Sequence, residues 1–231
     1  MTLKLYDLAG AETDRRFSPY CWRSRMALAH KELPAETIPW RFVEKQALAA
    51  TGQGKVPVLA DGERMIHDSW TIALHLEEQY PDRPSLFGGD MGRGLALLTQ
   101  NWVNGAVLGA LRPVILLHVF NCLEAADKVY FRETREKMLG RTLEEAADES
   151  PAQIARFRAA LAPARETLSA QRYLCGDGPG YADYILFGAF QWARCTCPTP
   201  LLDRDDPVHA WRDRMLNLFD GLAGRAKGYA V

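Results

Sequence analysis

Strand signals are confined to the first 67 residues, and helical spacing fills almost everything after residue 85, so the chain has to build two differently made units. Leu3-Lys4-Leu5-Tyr6 alternates apolar and polar residues as a strand does. A polar loop, Gly10–Arg16, follows, and Ser18-Pro19 opens a helix because serine suits the N-cap and proline the first helical position. Trp22, Met26, Leu28 and Ala29 form its apolar side, and it ends near Lys31. Glu36–Trp40 reads as a second strand, and Val43–Ala50 as a short helix closed by Gly52. Val56–Ala60 and Arg64–His67 are apolar runs split by Asp61-Gly62, a strong hairpin signal. Ser69 is expected to cap the next helix, which carries Ile72, Leu74, Leu76 and Tyr80 and stops at Pro81. The order is βαβαββα, an α/β unit.

Residues 82–91 (DRPSLFGGDM) have the proline and glycine density of a connection. The division predicted is 1–83, a linker at 84–92, and a helical domain at 93–231. Gly94–Cys122, Ala125–Glu145, Pro151–Ala170, Tyr181–Cys195 and Val208–Leu218 are its expected helices, and residues 221–231 read as a loose tail.

Charge and cysteine use exclude several function classes. The net charge is −1, and residues 1–85 hold 11 basic and 12 acidic side chains. Neither half carries the basic footprint of a nucleic-acid or anionic-membrane binder. The opening MTLKLYDLAG lacks the apolar core of a signal peptide, and residues 106–120 are interrupted by Arg112-Pro113 and read as too short for a bilayer span. Five cysteines, an odd number, point to a reducing cytosol rather than a disulfide framework.

Four local features converge on one kind of ligand. Ser18-Pro19-Tyr20-Cys21-Trp22-Arg23 places a hydroxyl and free N–H groups at a helix start, a setting that favours an anion such as a thiolate; alternatively, Ser18 only caps the helix. In Gly54-Lys55-Val56-Pro57-Val58-Leu59, a proline at a strand start suits a cis Val56–Pro57 bond that presents the Val56 backbone to an extended peptide, or else marks an edge strand. Lys55 offers a cation to a carboxylate or is simply solvated. At Asp68-Ser69, Ser69 and the helix-start N–H groups suit a carboxylate and Asp68 an ammonium, unless the pair is only a cap. Trp40-Arg41 places an aromatic and a cation after the second strand, with core packing as the other explanation for Trp40. Together the four describe a groove for a short peptide with two carboxylates, one ammonium and a central thiol.

The SPYCWR helix start, GKVPVL and DSW resemble the thioredoxin-like domain of a glutathione transferase. Tyr173-Leu174-Cys175-Gly176 with Tyr181-Ala182-Asp183-Tyr184 resembles that family's capping motif, and residues 187–194 (FGAFQWAR) are similar to the bacterial β-aryl-etherases and their fungal relatives. The resemblance implies a thioredoxin-like domain followed by an all-α domain, and glutathione as cosubstrate without metal or nucleotide. It implies Ser18 donating a hydrogen bond to the glutathione thiolate, Val56 pairing with the cysteinyl unit before a cis Pro57, and Asp68 and Ser69 holding the γ-glutamyl end. Lys55 and Trp40 fall near the glycyl carboxylate, and Asp183 reaches back to helix-start N–H groups. Gly180 departs from the family's hydroxyl or amide cap, which predicts a less stable helix start. A homodimer is expected on the same likeness.

The reading is a transferase in which an ionised glutathione sulfur attacks an electrophilic, aromatic substrate, with β-aryl ether cleavage as one form of the reaction. The electrophile is expected between residues 10–17 and the helical half, with Trp102, Arg112, Phe120, Tyr184 and Phe187 as lining or, for each singly, as bundle core. Two alternatives stand beside this: a non-catalytic glutathione or aromatic-ligand binder, and a thiol reductase working through Cys21. Against the second, the nucleophilic position of the Ser18-x-x-Cys21 motif carries no sulfur. Cys195-Thr196-Cys197 and the five histidines show no metal-ligand spacing in the sequence.

Overall fold

The computed structural model describes residues 3–230. β1 (Leu3–Leu8), β2 (Ala35–Trp40), β3 (Val58–Asp61) and β4 (Arg64–His67) form one sheet in the order β2-β1-β3-β4. β1 and β2 are parallel, and the other two pairings are antiparallel. The connecting helices are α1 (Pro19–His30) and α2 (Ser69–Gln79), with a 3₁₀ turn at Lys45–Thr51 where the sequence predicts an α-helix from Val43. That turn ends at Gly52, whose φ of +67° is one that glycine adopts without penalty. β3 starts at Val58 rather than Val56, because Pro57 has no N–H for the ladder.

The remaining helices are α3 (Asp90–Trp102), α4 (Leu108–Asn121), α5 (Ala125–Leu139), α6 (Leu143–Ala146), α7 (Pro151–Ala160), α8 (Ala162–Ala170), α9 (Tyr181–Thr196) and α10 (Pro207–Gly221). The architecture is thus an α/β thioredoxin-like unit followed by a helical bundle. α3 begins at Asp90, inside the stretch predicted as linker. Two predicted helices are split. Gly140, at φ +68°, ends α5 before a capping box at Thr142 and Glu145 starts α6, and Leu161 separates α7 from α8 just ahead of Pro163.

α3, a π-helical turn at Val103–Val107 and α4 run on as 32 helical residues, with an 18-residue window of mean hydropathy 1.6. By length and composition that run meets the requirement for a bilayer span, so the argument from shortness does not hold. It packs against α7 and α9 of its own chain.

The two halves meet chiefly through α1 and α9. Gly188 on α9 faces the Pro19 carbonyl so closely that even a methyl group would collide with it. His30, in the last turn of α1, spans the junction. Its Nε2 donates to the Ser85 carbonyl at 3.0 Å, so its Nδ1 accepts from the Tyr184 hydroxyl at 2.5 Å.

The expected loose tail is docked. Arg194 donates to the carbonyls of Ala223, Gly224 and Ala226, and Ala223 is fully buried. Lys227 then reaches the first unit, 2.6 Å from Glu12 and 3.4 Å from Asp14.

Candidate active site

The register brings four chain segments to one edge of the sheet. Leu8 lies beside Trp40, while Val58 lies between Tyr6 and His67. The chain therefore leaves β1, β2 and β4, and enters β3, at the same end. The segments placed there carry Ser18, Trp40, Lys55-Val56-Pro57 and Asp68-Ser69.

Ser18 is the N-cap of α1, its hydroxyl oxygen accepting from the Cys21 N–H at 3.3 Å. That bond uses an oxygen lone pair and not the O–H proton, so capping and donation are compatible roles. The first turn of α1 contains no acidic side chain to offset its dipole. The Val56–Pro57 bond is cis, with Pro57 buried and Val56 half-buried outside the paired register. Lys55 is exposed, and Gln53 holds its backbone through bonds of 2.7 and 2.9 Å.

Asp68, rather than Ser69, caps α2: its Oδ1 accepts from the Trp70 and Thr71 N–H groups at 2.9 and 3.1 Å, at a φ of +72°. Asp68 is otherwise exposed, leaving its second oxygen for a cation. Ser69 is buried, and its carbonyl accepts from the Tyr181 hydroxyl at 2.5 Å, tying the start of α2 to α9.

Several expectations are corrected by burial. Trp40 is 2% exposed and its indole N–H donates to the Glu44 carbonyl, so its ring is core and its one donor is spent. Cys21 is fully buried, and desolvation together with the neighbouring Asp7 pushes its thiol pKa well up, the opposite of what a redox nucleophile needs. Tyr184 and Phe187 are fully buried as well; the first is spent on His30, and the second packs edge-on to Trp211. Neither lines a cleft.

The other proposed lining residues do not share one pocket. Trp102 donates to the Ala160 carbonyl at 3.2 Å and borders a cavity of about 650 Å³ between α3 and α8, with Phe87, Leu95, Leu98 and Pro163. None of the residues at the sheet edge lines it. Arg112 is exposed on α4, and Phe120 is half-buried beneath Arg132, 4.8 Å from its ring.

Two groups escaped the sequence reading. Arg23 is completely buried, its guanidinium 4.7 Å from the Tyr20 ring and donating to Asn104 Oδ1 at 2.8 Å, with Nε and Nη1 unpartnered. Burial holds its pKa below the ordinary guanidinium value, offset only in part by Tyr181, Tyr20 and, least, Asp68. Its place in the SPYCWR run was the only available cue. Phe42, half-buried, stacks on Tyr130 and packs against Phe131, which in turn meets Phe120, while Arg135 covers Phe42 and Phe131. The aromatic pair Tyr130-Phe131 in an otherwise charged helix was the signal for that cluster.

Asp183 is fully buried and accepts from the N–H groups of Leu174, Cys175 and Gly180 and from the Trp211 indole. Desolvation still raises its carboxyl pKa. The missing hydroxyl cap at Gly180 has a steric reason: a Cβ there would lie 2.7 Å from Cys175 Sγ.

Residues 13–84 match the glutathione S-transferase N-terminal domain, and residues 94–216, more than half the chain, match the C-terminal domain of the same family. The chain belongs to the glutathione S-transferase family. Among family members, a glutathione S-transferase-like protein, ustS, of Aspergillus flavus is 31% identical over 137 residues, 54% of this chain and 49% of that protein. A zeta-class glutathione S-transferase of Euphorbia esula is 39% identical over 70 residues, 28% of this chain and 31% of that one. The matches thus span half or less of these relatives' length. Solved structures align along nearly the whole chain. Glutathione transferase GSTFuA3 of Phanerochaete chrysosporium is 26% identical with a TM-score of 0.77, covering 96% of this chain and 92% of that one. A glutathione S-transferase of Ceriporiopsis subvermispora, solved with glutathione, has the same fold at 24% identity and a TM-score of 0.81, covering 95% and 97%.

Proposed function

We propose that this family member binds glutathione at the sheet edge and transfers it to an aromatic electrophile. The observation that carries the reading is Ser18: a buried N-cap hydroxyl at the start of a helix that has no acid in its first turn. A free thiol has a pKa of about 8.5, so little of it is ionised at neutral pH. A hydroxyl donor and a helix start stabilise the thiolate, and the Val56 backbone aligns the cysteinyl unit that carries it. Asp68 and Ser69 receive the γ-glutamyl end, and Lys55 the glycyl carboxylate. The thiolate attacks carbon and expels a phenolate or halide, so the bond formed is C–S and the leaving group departs with the electron pair. Cleavage of an aryl ether is the form suggested by the FGAFQWAR run; the Phe42–Tyr130–Phe120 cluster supplies aromatic surface for such a ring.

The homodimer implied by the resemblance has a candidate face in Met91, Leu95 and Leu98, which expose apolar surface beside the α3–α8 cavity. Glutathione titrated into the protein by calorimetry, followed by mass analysis of products from a chlorinated nitrobenzene and a panel of aryl ethers, tests the reading. Conjugation or ether cleavage supports it. Heat of binding without any product favours the binding-protein alternative, and no heat at all removes both.

A further inference from the structure

Far along the chain from the sheet edge, three metal-ligating side chains from three separate segments meet. His118 lies near the end of α4, Glu149 just before α7, and Cys197 is the C-cap residue of α9. One donor atom from each lies within 4.8 Å of the other two. Taken along the sequence, Cys195-Thr196-Cys197 lacked partners; the fold supplies an imidazole and a carboxylate from 79 and 48 residues upstream.

The three donors stand close enough to share one ion. His118 Nε2 stands 2.9 Å from Glu149 Oε1, yet this buried nitrogen has no hydrogen-bond partner. Glu149 is oriented from behind, its Oε2 accepting from the Thr199 hydroxyl at 3.1 Å. Thr199 also faces the Cys197 sulfur with its hydroxyl and its N–H, so one residue holds both Glu149 and Cys197 in place. An outer partner that fixes two ligands at once is the usual support of a metal site.

We propose that His118, Glu149 and Cys197 bind a zinc-class divalent ion that clips the ends of α4 and α9 to the segment before α7. Nitrogen, thiolate sulfur and carboxylate oxygen together suit Zn²⁺ better than the all-oxygen ions Mg²⁺ and Ca²⁺. Bonds of about 2.0 to 2.3 Å give ligand separations of roughly 3.3 to 3.8 Å in a tetrahedron, so the ion would spread the His118–Glu149 pair slightly and draw Cys197 inward. The fourth position goes to water. Binding displaces the Cys197 thiol proton to solvent. Because the Cys122 carbonyl accepts from the Ala11 N–H at 2.8 Å, the clip also fixes the wall against which the Gly10–Arg16 loop rests.

The test uses the full chain, stripped with chelator and titrated with Co²⁺ and then Zn²⁺. The expected result is one Co²⁺ per chain, with a thiolate-to-cobalt charge-transfer band that Zn²⁺ abolishes. Cys197→Ser and His118→Gln should each weaken binding by at least about tenfold, the scale on which even outer partners of ligands are felt. Cys175→Ser, at a cysteine outside the cluster, should change nothing. Circular dichroism establishes that the variants are folded, and Glu149→Gln provides a third variant at a partly exposed position. Absence of the charge-transfer band, or unchanged affinity in folded Cys197→Ser and His118→Gln, would overturn the assignment.

Discussion

Gly188 and Pro19 touch across the junction of the two halves, the α-carbon of one against the carbonyl of the other. Pro19 is the first residue of the helix that Ser18 caps, so a contact in the helical bundle sets the position of the proposed thiolate donor.

Replacing Gly188 with alanine forces these helices apart. Overpacking of this kind costs about 1–3 kcal/mol, and it should lower the denaturant midpoint and reduce turnover together. Unchanged stability in Gly188→Ala would show that the close approach is not a constraint.

Ser18→Ala removes a cap and a donor at once. The lost cap costs about 1 kcal/mol of stability. Losing a hydrogen bond to a charged sulfur raises the pKa of bound glutathione by about one to two units, which is read from thiolate ultraviolet absorbance against pH. Turnover at neutral pH should fall by the same factor. A variant with an unmoved thiol titration removes Ser18 from the mechanism.

At Asp68 the two roles separate. Asp68→Asn keeps the oxygen that caps α2 and loses the charge, so KM for glutathione should rise with little change in melting temperature. Asp68→Ala loses both, with a stability cost of about 1 kcal/mol. Equal KM in wild type and Asp68→Asn would show that no ammonium is bound there.

His30 makes stability depend on pH. Burial, the largest effect on it, holds its pKa below the ordinary 6.5. As pH falls below 6.5 the unfolded chain takes up a proton that the folded chain resists, so stability is present above that range and is lost on acidification. Protonation would also put an N–H at Nδ1, against the Tyr184 oxygen. Thermal melts between about pH 7.5 and 5.5 should show a decline that is shallower in His30→Gln. Parallel slopes would assign the acid sensitivity elsewhere.

Local chemistry was legible wherever a few neighbouring residues decide the outcome. Ser18-Pro19 starts α1 and Val56-Pro57 is cis as expected, while the hairpin turns one residue later than predicted, at Gly62-Glu63, because Asp61 pairs with Arg64. The cap of α2 was misplaced by one residue, since Asp68 and Ser69 are both competent caps and only the backbone turn at Asp68 selects between them. The candidate electrophile pocket was the weakest reading, because an aromatic residue on a helix face has the same local signature in a core as in a cleft.

By itself, the sequence determined a strand-bearing half, a helical half and several of the turns and caps between their elements, because those choices are made by hydrogen bonds and sterics within a few residues. Tertiary structure alone decided that Trp40, Tyr184 and Phe187 are buried, that residues 221–230 dock on α9, and that His118, Glu149 and Cys197 meet. Burial and convergence depend on which helix faces touch, and that is fixed by packing the whole chain against itself.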